Sequence, residues 1–259
     1  MSRKDMLAVG GNTACIQLTS DGEDCIVLDA GTGIRELGNA LIRQEKIPSV
    51  IHILITHTHW DHISGFPFFA PAYKKDFKII FYGHLNASAN LEAVIKKQLS
   101  YEYFPVTLEN MSATFQFIDT GIGTFQLTRD IQISTQWHEH PNKAITYRIS
   151  EKGKNFVYTT DAEHDPKHLD PRVVEIAKNA DILVHDAQYT PEVLTNKKGY
   201  GHSSWRQATD VARIAKVKRL YLFHHDPEHN DEFLRGVELE AQKKFPLTFL
   251  AKEGEEFNI

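Results

Sequence analysis

Residues 56–62 read Thr-His-Thr-His-Trp-Asp-His, so His57, His59, Asp61 and His62 each offer a metal ion an imidazole nitrogen or a carboxylate oxygen. In a tight loop this spacing can aim His57 and His59 at one cation and Asp61 and His62 at a second. Without a cation, such a cluster at the end of an apolar strand would crowd repelling or desolvated groups, which is costly. A surface histidine cluster is the plainer alternative, and the motif alone does not remove it. Histidine is unusually frequent, fourteen in 259 residues, and many stand beside aspartate or at the ends of apolar runs. That is where chemistry near neutral pH is to be sought.

The elements around the motif follow from periodicity. Thr13–Leu18 and Asp24–Asp29 alternate as paired strands around the turn Ser20-Asp21-Gly22-Glu23, and Ile34, Leu37 and Leu41 recur at helical spacing after Gly33. Val50–Ile55 is a β-branched apolar run that reads as a buried strand, which puts the histidine cluster at a strand's C-terminal end. A strand at Phe77–Tyr82, a helix over Glu92–Leu99 and short strands at Phe115–Phe117, Thr124–Leu127 and Ile131–Gln136 come next. The pattern then restarts from Ala144. Strands Ala144–Ile149 and Asn155–Thr159 precede a helix near Val173–Lys178, strand Ile182–His185 and a helix from Trp205 to Ala215. Strand Arg219–Phe223, a helix from Glu232 to Gln242 and strand Leu247–Leu250 complete the order. Two blocks with antiparallel strands first and strand–helix units later predict an α/β fold, two mixed sheets face to face with helices outside, a four-layer αββα sandwich. No linker or fixed-period repeat interrupts it, so residues 1–259 are expected to form one domain.

Composition narrows the function. Hydrophobic residues at 41% and charged residues at 24% are ordinary globular usage, which excludes disorder and fibrous repeats. The net charge of −5, with no Lys/Arg block beyond pairs such as Lys96-Lys97, gives little support for binding long nucleic acid. The first residues, MSRKDMLAVGG, lack a signal's apolar core, and no run approaches the ~20 apolar residues of a spanning helix. A cytoplasmic protein without membrane contact is expected, with Cys15 and Cys25 reduced and buried.

Through His57-Thr58-His59-Trp60-Asp61-His62, the HxHxDH signature, the sequence resembles the metallo-β-lactamase superfamily, and the likeness runs from Gly10 to Pro227. The resemblance implies the sandwich fold and a dinuclear centre. His57, His59 and His140 (in HEHP) would bind one ion, Asp61, His62 and His224 (in LFHHDP) the other, and Asp161 (in YTTDAE) would bridge them, while Asp29 (in LDAGTG) supports the loop without ligating. Two cations ~3.5–4 Å apart need such a shared anion. His138 competes with His140 and His225 with His224; the family's spacing to Tyr147 and to Pro227 favours His140 and His224, which leaves His138 and His225 behind the ligands or facing substrate. His185 reads equally well as a packed core histidine.

Secreted β-lactamases usually place Cys where this chain has Asp161, and flavodiiron relatives place Glu where it has His59. The downstream segment, ADILVHDAQY and then GYGHSSWRQATDVARIAKVKRLYLFHHDP, resembles the ribonuclease Z and phosphodiesterase branch, with His202 as its marker. Ser203 or Ser204 makes a good helix N-cap beside it, and that helix start is expected to offer N–H donors to a phosphate. Ribonuclease Z carries a long arm for transfer RNA, usually between the positions of His140 and Asp161, where this chain has only Pro141 to Thr160. The expectation is therefore a hydrolase of small phosphodiesters such as cyclic nucleotides, through a metal-bridging hydroxide, with Asp61 orienting the nucleophile and His202 as acid. Zinc is the first expectation for the metal, with manganese or iron as alternatives. A thioester or lactone hydrolase, or a metal-dependent nucleotide sensor without turnover, are the rivals. Tyr101–Val106, YEYFPV, offers aromatic rings for a nucleobase or simply packs. The short stretch before Gly10 leaves an edge of the first sheet open to a second copy, a homodimer.

Overall fold

The computed structural model describes residues 4–20, 25–45, 48–84 and 90–259, so the turn expected at 20–23 lies, apart from Ser20, outside the described residues. Among these, the chain forms two compact units, residues 12–121 and residues 1–11 with 122–259.

In the unit of residues 12–121, β1 (Ile16–Thr19) pairs antiparallel with β2 (Cys25–Leu28). Then β3 (Val50–Leu54), β4 (Lys78–Gly83) and β5 (Thr114–Asp119) add in parallel, in the order β1-β2-β3-β4-β5. Parallel addition requires crossovers, and α1 (Ile34–Leu41) and α3 (Leu91–Gln98) lie in two of them. Alternation decides the core: Cys25, Val27, Ile51, Ile53, Ile79 and Phe81 face the helices and pack with Ile34, Leu41, Leu91 and Ile95. Phe66 and Phe117 flank Phe81, each with ring centroids 5.0 Å away. Each such side chain contributes about 1.5–3 kcal/mol by leaving water. The sheet is held by this layer more than by helix propensity.

The other unit has a seven-stranded sheet in the order β12-β11-β10-β9-β8-β7-β6. β6 (Gly123–Gln126), β7 (Ile131–His138), β8 (Ala144–Glu151) and β9 (Lys154–Thr159) are antiparallel, and β10 (Ile182–Asp186), β11 (Arg219–Phe223) and β12 (Thr248–Leu250) continue in parallel. α4 (Pro171–Ile176), α6 (Trp205–Ile214) and α7 (Asp231–Gln242) cover Val157, Leu183, Leu220, Leu222 and Leu250 with Val173, Ala208, Val211, Leu234 and Val237. Small residues on α6, Ala208, Ala212 and Ala215 just beyond it, sit in the same cluster.

Two expectations change, the start of the second block and the burial of Cys15, while the open edge of the first sheet agrees with the sequence reading. The second block begins at Gly123 and not at Ala144, because the strands at 124–127 and 131–136 pair with β8 and extend the second sheet. Residues 4–9 add no strand to the first sheet, which leaves β1 as its edge. They form a 3-10 turn, Lys4–Met6, and the Asp231 carboxylate accepts the N–H groups of Ala8 and Val9 at 2.9 and 3.0 Å. Cys25 is buried as expected, whereas Cys15 is half-buried. No helix among the described residues is long and apolar enough to cross a membrane.

Four histidines among the described residues are buried within the seven-stranded unit, His138, His140, His164 and His185. The Asp170 N–H donates to His164 Nδ1 at 3.1 Å, so His164 carries its proton on Nε2 and donates to His185 Nε2 at 3.2 Å, while His185 Nδ1 donates to the Asp186 carbonyl at 2.7 Å. Both rings are therefore neutral. Burial, then His185, hold His164 down to about 3 from an ordinary 6.5. The unfolded chain accepts a proton there that the folded chain refuses, so stability is lost as pH falls from about 6.5 toward 3, at up to about 1.4 kcal/mol per pH unit for one such group. Denaturant melts of the protein from pH 7 to 4.5 should show this loss, and His164→Gln should make the slope shallower; an identical slope would assign it to other groups.

Candidate functional site

In the unit of residues 12–121 the motif leaves β3 as an extended segment and enters a short helix, α2 (Trp60–Ile63), with extended His59 as its N-cap. The sequence pattern suggested a loop only. Asp29, just past β2, organises the segment: its Oδ1 accepts the Thr56 N–H at 2.8 Å, the Thr56 hydroxyl lies 3.0 and 2.9 Å from its two oxygens, and its Oδ2 accepts His62 Nδ1 at 2.8 Å. Since the Thr56 hydroxyl donates to Asp29, its lone pair receives His57 Nδ1 at 3.1 Å. Both histidines then carry their lone pair on Nε2, where a metal could take it. The rings of His57 and His59 lie 4.6 Å apart and those of His57 and His62 4.2 Å apart, and Asp61 Oδ2 is 3.3 Å from His62 Nε2. All four motif residues thus converge.

Asp29 adopts a left-handed φ of 60°, which aspartate tolerates better than most residues. Gly31 is needed because a Cβ there would stand 2.2 Å from the Asp61 carbonyl and 2.4 Å from Thr13 Oγ1. Thr13 and Thr32 exchange N–H to hydroxyl bonds at 2.8 Å, which anchors the Gly-Thr-Gly turn against the segment before β1.

In the unit of residues 1–11 and 122–259, Asp161 follows β9, His140 follows β7 and His224 follows β11. Asp161 Oδ1 lies 3.9 Å from His140 Nε2, and its Oδ2 lies 3.4 Å from His224 Nε2. One carboxylate therefore faces two imidazoles with separate oxygens. The Thr160 hydroxyl donates to Oδ2 at 2.6 Å. Asp161 and His224 have left-handed φ values of 52° and 57°, local strain of the kind that clusters at functional sites. His140 Nδ1 donates to the Gly201 carbonyl at 3.0 Å, which again leaves the lone pair on Nε2, where a metal could take it.

His202 joins this set. Its ring stacks on His224 at 5.1 Å and meets His140 edge-on at 5.7 Å. Its Nδ1 donates to Asp186 Oδ2 at 2.8 Å, and Asp186 Oδ1 accepts the Ser203 N–H at 2.8 Å. Asp186 was absent from the expected residues; the signal was its place in the quoted HDAQ segment at the end of β10. Asp186, His202 and His224 also have ligand atoms within 4.8 Å of one another. Ser204 caps α6, with Gln207 completing the reciprocal capping pair. The N–H donors expected to meet a phosphate are already taken: Ser203 by Asp186, Ser204 by Gln207 Oε1, Trp205 by the Tyr189 carbonyl and Gln207 by Ser204. His202's imidazole is the polar group this helix start presents.

The competing histidines sort by contact. His138 Nε2 donates to the Asp161 carbonyl at 3.1 Å and its Nδ1 meets the Thr146 hydroxyl at 2.9 Å, so it braces the backbone of Asp161. Burial, then the nearby His140, push it down to about 4. Both His225 ring nitrogens are buried, and burial, then the nearby His224, push that ring down to about 4 as well. His185 is the core histidine described above. In the aromatic segment, Tyr101 and Tyr103 are 82% and 67% exposed, whereas Phe104 turns edge-on to Phe68 at 5.5 Å and packs, as Val106 does, against the core of its unit.

The donor set fits divalent transition metals. Imidazole Nε2 atoms with Nδ1 held by a carboxylate, a hydroxyl or a carbonyl, joined by carboxylates, are the ligands zinc, manganese and iron accept. Softer thiolate is missing, since the cysteines lie in or next to β1 and β2.

Comparison with known proteins agrees. Ribonuclease Z of Thermoplasma acidophilum is 38% identical over 124 residues, a stretch that covers 45% of this chain and 38% of that protein. Ribonuclease Z of Oceanobacillus iheyensis is 22% identical across 96% of this chain and 94% of its own length. The crystal structure of the metallo-β-lactamase fold protein YhfI from Bacillus subtilis superposes with a TM-score of 0.71 at 20% identity, covering 98% of this chain and 97% of that one, which shows the α/β fold of two mixed sheets with helices. The model of the β-lactamase superfamily domain matches residues 25–225, a span that runs from the first strand behind Asp29 through His224, and the chain belongs to that superfamily.

Proposed function

We propose that this chain is a dinuclear-metal-dependent hydrolase of phosphodiesters, with His57, His59, Asp61, His62, His140, Asp161 and His224 as metal ligands. The observation that carries the proposal is Asp161, whose two oxygens address the Nε2 atoms of two different histidines, as a bridging carboxylate must. Bound divalent cations supply an acidified water and an electrophilic contact for a phosphoryl oxygen. Asp61, with its side chain 36% exposed, accepts the proton of the attacking water and orients it. The doubly protonated ring of His202 delivers its Nε2 proton to the departing oxygen and is left neutral, with its Nδ1 proton held by Asp186.

Small phosphodiesters, cyclic nucleotides foremost, are supported as substrates by the stretch between His140 and Asp161. It is filled by β8, the turn Lys152-Gly153 and β9, with no further arm. The names of the relatives favour a second reading, processing of RNA, and the acidic net charge of −5 weighs against it. Zinc is the metal we expect first, and the same donors suit manganese and iron.

Turnover of bis-(p-nitrophenyl) phosphate should vanish on chelation and return with zinc, manganese or iron; activity indifferent to chelation would sink the proposal. Against a panel of cyclic nucleotides, an RNA with a 3′ extension and a thioester, cyclic nucleotides should have the highest kcat/KM. A preference for the RNA selects the second reading, a preference for the thioester moves the chemistry from phosphorus to carbon, and binding of nucleotide without turnover makes the chain a sensor. His202→Ala should keep its metal content and lose about 10²–10⁴-fold in kcat; unchanged kcat would remove His202 from proton transfer.

A further inference from the structure

Three consecutive residues, Asp161, Ala162 and Glu163, are tied on two sides. Toward the end of β7, the Asp161 carbonyl accepts His138 Nε2 at 3.1 Å and the Glu163 N–H donates to the Glu139 carbonyl at 2.9 Å. Toward the loop before α6, the Ala162 carbonyl accepts the Ser203 hydroxyl, and the Glu163 carboxylate accepts two backbone donors, the Gly199 N–H on Oε1 and the Gly201 N–H on Oε2, both at 2.7 Å. That loop, Gly199-Tyr200-Gly201, has left-handed φ values of 86° and 87° at its glycines, which turns alternate N–H groups toward one anion. Tyr200 between them points outward, 58% exposed.

The next atoms along the loop are the ones the site depends on. The Gly201 carbonyl receives His140 Nδ1, and a Cβ on Gly201 would stand 2.1 Å from that nitrogen, so the loop backbone sits directly on the ring. His202 follows immediately. Two charge-assisted bonds from one carboxylate therefore fix the stretch that aims His140 and presents His202, from a residue two positions past Asp161.

We propose that Glu163 is a positioning residue: its carboxylate clamps the Gly199–Gly201 loop and thereby aligns the ligand His140 with the acid His202. The proposal rests on the assignment of His140 and His202 above, and it adds a residue that touches neither metal nor substrate. Loosening the clamp leaves every ligand in place but frees the ring that ligates and the ring that donates.

The test uses the full-length chain with Glu163→Gln, which keeps one acceptor, Glu163→Ala, which keeps none, and Gly201→Ala, which presses on His140 from the other end. Amide exchange of Gly199 and Gly201 in the metal-free protein should speed up in the order wild type, Gln, Ala. Zinc affinity by chelator competition should fall about 10-fold or more in Glu163→Ala, the range seen when an outer partner of a ligand is lost. The Gln variant should recover part of it, and the melting temperature should stay close to that of the wild type. With bis-(p-nitrophenyl) phosphate, kcat should fall while KM holds. If zinc affinity and amide exchange are unchanged in both Glu163 variants, or if the losses merely follow melting temperature with no recovery in Gln, the clamp is overturned. Loss in Gly201→Ala alone would also overturn it, since His140 would then need only the carbonyl. Exchange and zinc binding report without turnover, so a wild type inactive on every phosphodiester would refute the hydrolase and leave the clamp standing.

Discussion

Three of the histidines proposed as ligands spend Nδ1 on a fixed acceptor, which leaves Nε2 to face the site, and the local folding around each follows from that requirement. His62 gives Nδ1 to Asp29, His57 to Thr56 and His140 to the Gly201 carbonyl. A buried imidazole without such a partner could flip or carry its proton on the ligating nitrogen, and burial alone would not choose between the two. The acceptors in turn need unusual backbone. Asp29 sits in the left-handed region one residue past a strand, and the Gly201 carbonyl is presented by a loop that only glycine can follow. The strain is local, of order 1–3 kcal/mol per residue, and is met by the apolar layers under each sheet.

Much of this was legible in the residues. The run Val50–Ile55 is apolar and ends where the motif residues begin, and strands stand close to the expected places at Cys25–Leu28, Lys78–Gly83 and Arg219–Phe223. The density of histidine and aspartate at 57–62 pointed to metal before any element was placed, and the family likeness supplied His140, Asp161, His202 and His224 in order. These succeed because periodicity and ligand chemistry are local properties.

What escaped is non-local. Strands at 124–127 and 131–136 read as the tail of one block because nothing in their residues says which sheet they join; pairing with β8 decides it. The N–H groups at the start of α6 seemed available because capping rules count only the helix's own partners, whereas Asp186 and the Tyr189 carbonyl reach them from sixteen or more positions away. Asp186 and Glu163 went unnoticed for the same reason: a carboxylate that orients a neighbour has no spacing signature. His138 and His225 differ from the proposed ligands His140 and His224 in what each ring touches.

The proposed ligands, with Asp29, Glu163, Asp186 and His202, lie past β2, β3, β7, β9, β10 or β11 or at the last residue of one of them, and none is drawn from the middle of a strand. The sheets hold together through side chains that take no part in chemistry. Connections of this kind can lengthen, shorten or exchange a residue without repacking the layer beneath, so one scaffold can be re-tuned for a different leaving group or a larger substrate through changes at its rim. Divergence in such a lineage should accumulate in the loops first, and the aromatic surface at Tyr101 and Tyr103 has that freedom already.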